Sequence, residues 1–523
     1  MDIVDGSGLW SATIGVGAGT FYTLRIDAEL AGVGGGWTDI TEDVYTDPPV
    51  VIAYGIDGSG PLDRIARTGQ LTFGLDNSDQ NSGGLKGYYS PGNSSVRTGW
   101  NVGIRVRCVV EYDGTSFYKF IGTLNSVEHA AGAQTDYRVL CTVLDWMDDA
   151  AKQRTANIAT QTGKRADEII STVVSNMTRQ PISTSYAEAQ MAYPYALDTA
   201  EDEKTSAMTE LARAVMSDLG YLYIKGDTSA GGVLRFEDRR VRQAAVIAQS
   251  TLVDVAEMAV ARSRDAIYNR LKVAINPRRV DAAATTVLYQ YDAAQLLAIG
   301  PSETVTIVGQ YRDPDQRAQR VGGVDLVAPV AYTDYAFGTG PGDTSLTANL
   351  SVTATTGGNS AIIELTNGGA ASGFVTLLQV RGRGLYDYDQ VVLQDADAAS
   401  RTAYGEFVLS IDLPHEARQH VAQSILDVML ARYKDPRDVI TSLTFDAATS
   451  ALLSAALARE PGDLVAIAEN ESGVDANYFI NGVRYSVEWP GLKCSWILAP
   501  DYDTATVFVL NTSTLNGAHV LGW

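Results

Sequence analysis

Between residues 21 and about 150 the sequence is a succession of short runs rich in β-branched and aromatic residues, each cut off by Asp, Asn or Gly. The runs include Val50-Val51-Ile52-Ala53-Tyr54, Gln70-Leu71-Thr72-Phe73-Gly74-Leu75 and Val102-Gly103-Ile104-Arg105-Val106-Arg107-Cys108-Val109-Val110. Phe117-Tyr118-Lys119-Phe120-Ile121 and Tyr137-Arg138-Val139-Leu140-Cys141-Thr142-Val143 continue the series. Clusters such as Asp76-Asn77-Ser78 and Asp113-Gly114 are turn formers, and they hold each run to the length of one strand. Short strands at this spacing imply a barrel or a sandwich, and they exclude a helical bundle for this region.

The texture changes further along. Ile169, Ile170, Val173 and Val174 share one face of a helix expected over 165–176, and Met208, Leu211, Ala212 and Val215 one over 205–219. Gly220 reads as the C′ residue of the second helix. Tyr221-Leu222-Tyr223-Ile224 and Val233-Leu234-Arg235-Phe236 form a hairpin across a Gly-rich turn, so 155–250 is a small α+β unit. A second β region follows, from 255–300 and 385–505, interrupted by a strand-and-glycine segment at 301–384 that reads as an inserted sandwich. One long helix is expected over about 415–433, with Val421, Ile425, Val428 and Met429 inward and Lys434-Asp435-Pro436 as its stop. Residues 1–20 form a Gly-rich arm with a short strand near 9–14, and 506–523 form a tail. A length of 523 residues fits this multi-domain division, at roughly 150 residues per domain.

Charge narrows the function. A net charge of −22 repels nucleic acid and anionic membrane unless the charge is strongly segregated, so classical phosphate-backbone binding is not expected. Three cysteines, Cys108, Cys141 and Cys494, are too few for a disulfide framework and read as buried small apolar residues. The expected N-terminus carries no signal peptide, and no run of apolar residues is long enough to span a membrane.

Catalytic motifs are not found. His415-Glu416 and His420 come nearest to a zinc-protease helix, but an i, i+5 spacing turns the imidazoles apart by roughly 140°. Gly15-Val16-Gly17-Ala18-Gly19 and Gly32-Val33-Gly34-Gly35-Gly36 lack the Lys-Ser/Thr ending and the helix that make a phosphate cradle. There is no nucleophile elbow and no EF-hand loop, and acid pairs such as Asp148-Asp149 are uninformative among 62 acidic residues. No catalytic, cofactor-binding or metal residue is assigned. The 26 tyrosines outnumber Phe and Trp together, which suits half-buried subunit faces.

Several phrases, in order, resemble minor tail proteins of bacteriophages. Gly36-Trp37-Thr38-Asp39-Ile40-Thr41-Glu42-Asp43-Val44 is similar to the phrase that precedes their first barrel, and Gly69-Gln70-Leu71-Thr72-Phe73-Gly74-Leu75-Asp76-Asn77 to the following strand and turn. Tyr88-Tyr89-Ser90-Pro91, Gly99-Trp100-Asn101-Val102-Gly103, Phe120-Ile121-Gly122-Thr123-Leu124 and Val143-Leu144-Asp145-Trp146 continue the resemblance. So do Leu234-Arg235-Phe236-Glu237-Asp238-Arg239, Leu377-Leu378-Gln379-Val380-Arg381-Gly382, Tyr433-Lys434-Asp435-Pro436, Glu460-Pro461-Gly462-Asp463-Leu464-Val465, Trp489-Pro490-Gly491 and Ser495-Trp496-Ile497-Leu498. Together they cover about residues 20–500.

The resemblance implies a tail-tip or baseplate hub. Its fold would be mainly β with α+β: two β-barrel hub domains (21–150, and 255–300 plus 385–505), a small α+β domain and the inserted β-sandwich. It implies a homotrimer ring in the virion tail tip, assembled in the host cytoplasm. The partners would be a distal tail protein, a tape-measure protein and tip or fibre proteins, with DNA only in transit and no membrane insertion. No cofactor is implied. No peptidase, lysozyme or fibre module is recognisable after about 505, so wall degradation by this chain is not expected. The acidity would line the ring's lumen or its outer face rather than its protein contacts. The alternative class is a carbohydrate-binding surface β protein.

Overall fold

The computed structural model describes residues 14–16, 20–129, 137–156, 158–198, 200, 202–244, 247–253, 257–488, 491–501, 507–508 and 520–521. The strand expected near 9–14 falls largely outside the described residues, as do Trp489 and Pro490. Strand is the dominant secondary structure, and its largest piece is one sheet of 14 strands.

In the first half of that sheet the order is Thr20–Ala28, Arg105–Tyr112, Thr115–His129, Arg138–Leu144, Gln70–Asp76 and Val50–Gly55. Alternation fixes the faces: in Arg138–Leu144 the side chains of Val139, Cys141 and Val143 are buried while those between them are not. Asp113 and Gly114, at φ of 48° and 73°, make the tight turn expected of an Asp-Gly hairpin.

Val50–Gly55 then pairs antiparallel with the far end of the chain, Val50 opposite Val487 and Gly55 opposite Gly482. Through this seam the sheet continues into Val474–Glu488, Gly491–Pro500, Asp438–Asp446 and Glu257–Arg262. One core runs under both halves, from Tyr22 and Phe73 to Tyr485 and Trp496. The ladder among the described strands is continuous from one half to the other.

The second β region divides. Arg270–Ile275, Val391–Ala396 and Val408–Leu413 leave the large sheet and form their own three-stranded sheet. The helix Gln419–Tyr433 packs on it, burying Val421, Ile425 and Met429 against Leu271, Val273 and Ile411. Residues 278–299 depart too: Arg278–Val280, Thr286–Gln290 and Leu297–Ile299 all pair with the long strand Gly373–Asp387 of the insert. The inserted unit therefore begins before residue 301. Its second sheet, Thr304–Gln310, Ser360–Asn367 and Leu350–Thr356, shares a core with that long strand through Val352, Ile363, Val375 and Val380.

The α+β unit holds the helices Ala166–Ser175 and Ala207–Asp218. Ile169, Ile170, Val173 and Val174 are buried as their spacing requires. In the second helix the buried face is Ala207, Leu211, Ala214 and Val215, and Ala212 lies at its half-covered margin. Leu219, not Gly220, takes the left-handed cap conformation, at φ 53°. Gly220 is instead required by space, because a Cβ there would stand 2.4 Å from the Glu237 carbonyl oxygen. The long helix starts at Gln419, four residues later than its pattern suggests. The Glu416 carboxylate accepts from the backbone N–H groups of Ala417 and Arg418 and holds 415–418 as a turn.

A buried polar junction as the candidate functional site

Two β-bulges aim polar side chains inward where the sheet halves meet the α+β unit. Between Arg105–Tyr112 and Thr115–His129, Cys108 faces Phe120 and Val109 faces Tyr118, so Lys119 is the extra residue. Between Val474–Glu488 and Gly491–Pro500, Ile480 faces Leu498 and Gly482 faces Ile497, which leaves Asn481 as the extra residue. Both side chains are buried.

Lys119 Nζ donates to the Leu457 carbonyl at 2.9 Å and to Glu460 Oε1, and lies 5.0 Å from the centre of the Tyr485 ring. Glu460 Oε2 accepts from Tyr54 Oη at 2.7 Å and from the Gly226 N–H at 2.9 Å. One carboxylate thus ties together the first sheet half, the second and the α+β unit. Burial, and then the Glu460 charge, push the Tyr54 phenol well above its ordinary range. Burial does the same to Tyr485, which donates to the Ala456 carbonyl at 2.9 Å.

A second knot adjoins the first. Arg242 donates from Nε to Glu237 Oε2 at 3.0 Å and from Nη1 to Asn481 Oδ1 at 2.7 Å, and its guanidinium lies 3.6 Å from the Tyr221 ring centre. Asn481 Nδ2 donates to the Gly58 carbonyl at 2.6 Å, and Tyr223 Oη to Glu237 Oε1 at 2.8 Å. The glycines here serve close approach: a Cβ on Gly55 would meet the Asn481 carbonyl oxygen at 2.6 Å, and one on Gly226 the Tyr118 carbonyl oxygen at 2.6 Å. Lys119, Glu460, Tyr223 and Asn481 all find partners within the chain, and the arrangement holds the sheet halves and the α+β unit in register.

Several of the family-like phrases fall at such fastening points. Glu460 and Gly462 belong to one, Glu237 to another. The phrase around Trp37 lays its indole 4.3 Å from the Arg107 guanidinium, while Thr41 Oγ1 accepts from the Ile26 N–H at 2.9 Å. Asp43, in the same phrase, is buried and accepts from Ser82 N–H at 2.6 Å and from Tyr89 Oη at 2.5 Å. Asn77 takes the Tyr89 N–H at 2.7 Å and donates to Ser90 Oγ at 2.8 Å. Trp100 Nε1 donates to the Tyr89 carbonyl at 3.1 Å. Together they pin the long connection between Gln70–Asp76 and Arg105–Tyr112 onto the sheet.

Asp145 closes the Val143-Leu144-Asp145-Trp146 phrase and caps the helix Trp146–Lys152, its Oδ1 accepting from Met147 N–H at 3.0 Å. Burial raises its carboxyl from 3.8 to about 7. The folded chain therefore holds this proton more tightly than the unfolded chain. The stabilisation is complete below the unfolded value and is lost as pH rises through about 7. Asp145→Asn keeps the acceptor and cannot ionise. Between about pH 5 and about pH 8 the urea midpoint of the native chain should fall relative to that of Asp145→Asn. Asp218, raised to about 6 by burial, and His415, lowered to about 3 by burial and then by Arg278 and Arg213, are common to both proteins and cancel in the comparison. Parallel midpoints across that range would refute the assignment.

The histidines of the near-miss motif lie apart in environment: His415 is buried in the turn before the helix, and His420 is exposed on it. Among the described residues no group of three His, Cys, Asp or Glu side chains is placed to hold a metal ion, and no helix is long and apolar enough to cross a membrane. Cys108, Cys141 and Cys494 are buried and free.

No family model and no curated protein sequence matches the chain. Solved structures do. A tail protein from Neisseria meningitidis MC58 aligns over 92% of this chain and 98% of its own, at 10% identity and a TM-score of 0.47. The prophage MuSo2 43 kDa tail protein from Shewanella oneidensis aligns over 91% and 98%, at 11% identity and 0.46. Prophage tail protein gp18 from Listeria monocytogenes EGD-e aligns over 92% and 96%, at 8% identity and 0.41.

Proposed function

We propose that the chain is a structural subunit of a phage-type tail: a tail-tip or baseplate hub that joins the tail tube to the tip and surrounds the passage for DNA and tape-measure protein. The observation that carries this reading is the placement of the family-like phrases. They occur in the family's order, and several of them sit where the fold is fastened, at the buried junction and under the long connection between Gln70–Asp76 and Arg105–Tyr112. A hub must transmit load between tube and tip, and a junction that locks three parts of one chain through Glu460 suits that task.

The hub acts without catalysis and without a cofactor. Its partners are two further copies of itself, a distal tail protein, a tape-measure protein and tip or fibre proteins, and DNA touches it only in passing. The acidity lies on the lumen or outer face of the ring, where it keeps phosphates from adhering during transit. Three chains would make a ring of about 168 kDa, three times the 55.9 kDa chain. Quantitative mass spectrometry of purified tails should return three copies per tail. One copy or six would end the reading.

A further inference from the structure

The insert ends in a three-stranded sheet in which Ser360–Asn367 lies between Thr304–Gln310 and Leu350–Thr356. Each outer strand has seven residues, no charge, no proline and an unbroken register with the central strand. Among the described residues no other strand is bonded to the outer edge of either. Sheets ordinarily blunt such edges with charge, proline, a bulge or brevity. This chain does so elsewhere. The other edge strands of six residues all carry charge: Glu257–Arg262 through its end residues, Val391–Ala396 through Asp395 and Val408–Leu413 through Asp412. The remaining edges among the described residues are five residues or shorter.

We propose that these two edges are the two halves of one self-association surface, the Thr304–Gln310 edge of one copy pairing with the Leu350–Thr356 edge of the next. Three observations select a second copy as the occupant. Inward-facing Val305 and Ile307 on one edge, and Ala354 on the other, are only half covered, and a neighbouring strand of the same pattern would finish the layer they begin. Copies of a chain with net charge −22 repel, and an edge without charge is where they can meet without opposing carboxylates. Pairing like edges would leave the other edge of each copy open, whereas head-to-tail pairing leaves none once the ring closes. The ring size rests on the proposed trimer; the edge pairing does not.

The test uses cysteine pairs in the full chain, whose native cysteines are buried. Thr306 and Thr353 both lie opposite Glu364, two strand spacings apart within one molecule. That is roughly 10 Å, too far for a disulfide inside one chain. Thr306→Cys is combined in turn with Ser351→Cys, Thr353→Cys and Thr355→Cys, which samples the same-face registers. Mild oxidation should give a ladder of covalent oligomers from one combination and none from any single variant. Val308→Glu, on the exposed face of the edge, should weaken association in sedimentation at least about tenfold while leaving the thermal midpoint in place. A wild-type chain that stays monomeric, an absence of ladders, or association unmoved by Val308→Glu would overturn the proposal. Dimers from a single cysteine variant would overturn the head-to-tail arrangement. A trimer that persists without ladders would refute this surface and leave the ring reading standing, and a ladder that runs past three would do the reverse.

Discussion

Lys119→Met should be among the most damaging single substitutions in this chain, costing about 3–5 kcal/mol of unfolding free energy. Methionine fills most of the lysine's volume, so the loss is electrostatic. It strands Glu460, a carboxylate shared by the two sheet halves and the α+β unit, with hydroxyl and amide donors but no cation. The Leu457 carbonyl loses its donor as well. Lys119 has a side-chain exposure of 1%, so water cannot replace it without opening the seam. The double variant Lys119→Met/Glu460→Gln should be more stable than Lys119→Met alone, because it removes the uncompensated charge and keeps an acceptor for Tyr54. Urea unfolding of the four proteins of this cycle measures both terms. A Lys119→Met penalty below about 1 kcal/mol, a surface-like value, would mean that the pair is solvated and that the junction does not lock the halves.

What was legible in the sequence was local. The helix of Ile169 to Val174 and the Asp113-Gly114 turn follow from side-chain period and turn chemistry, which act over a few residues. Strand partners were not legible. Val50–Gly55 reads clearly as a strand, but nothing in its residues says that it pairs with 482–487 at the other end of the chain. For the same reason the second β region could be recognised as β while its division between the large sheet, the small sheet under Gln419–Tyr433 and the insert could not. The junction was half visible. Glu237 and Glu460 lie in phrases that drew attention by resemblance. Lys119 and Asn481 are inward only because bulges shift the alternation by one residue, and a bulge leaves little mark on composition. A lysine flanked by Phe117, Tyr118, Phe120 and Ile121 was the one available hint. Gly220 shows the converse error, a helix-end glycine whose reason is the neighbouring backbone rather than its own dihedral.

Gly462→Ala should cost several kcal/mol, and the reason separates two roles that a glycine can play. Its φ of 94° lies where a Cβ is disfavoured, a strain worth about 1–2 kcal/mol. Its N–H donates to the Ile480 carbonyl at 2.8 Å, so the turn cannot relax without losing that bond. The added methyl would also stand 2.0 Å from Tyr223 Oη and 2.8 Å from Glu237 Oε1. Tyr223 is buried and bonded to Glu237, which in turn holds Arg242, so making room displaces the whole second knot. Overpacking of this kind adds about 1–3 kcal/mol. Gly473 supplies the control: its φ is 73°, yet a Cβ there meets nothing within 4 Å. Gly473→Ala should therefore show the backbone strain alone, about 1 kcal/mol, and Gly462→Ala that strain plus the clash. Tyr223→Phe removes the atom struck first, so Gly462→Ala/Tyr223→Phe should be less destabilised than the sum of its parts. Equal penalties at the two glycines, or strict additivity with Tyr223→Phe, would show that space at the junction is not limiting. The three parts of the chain would then be joined more loosely than the proposed load-transmitting role requires.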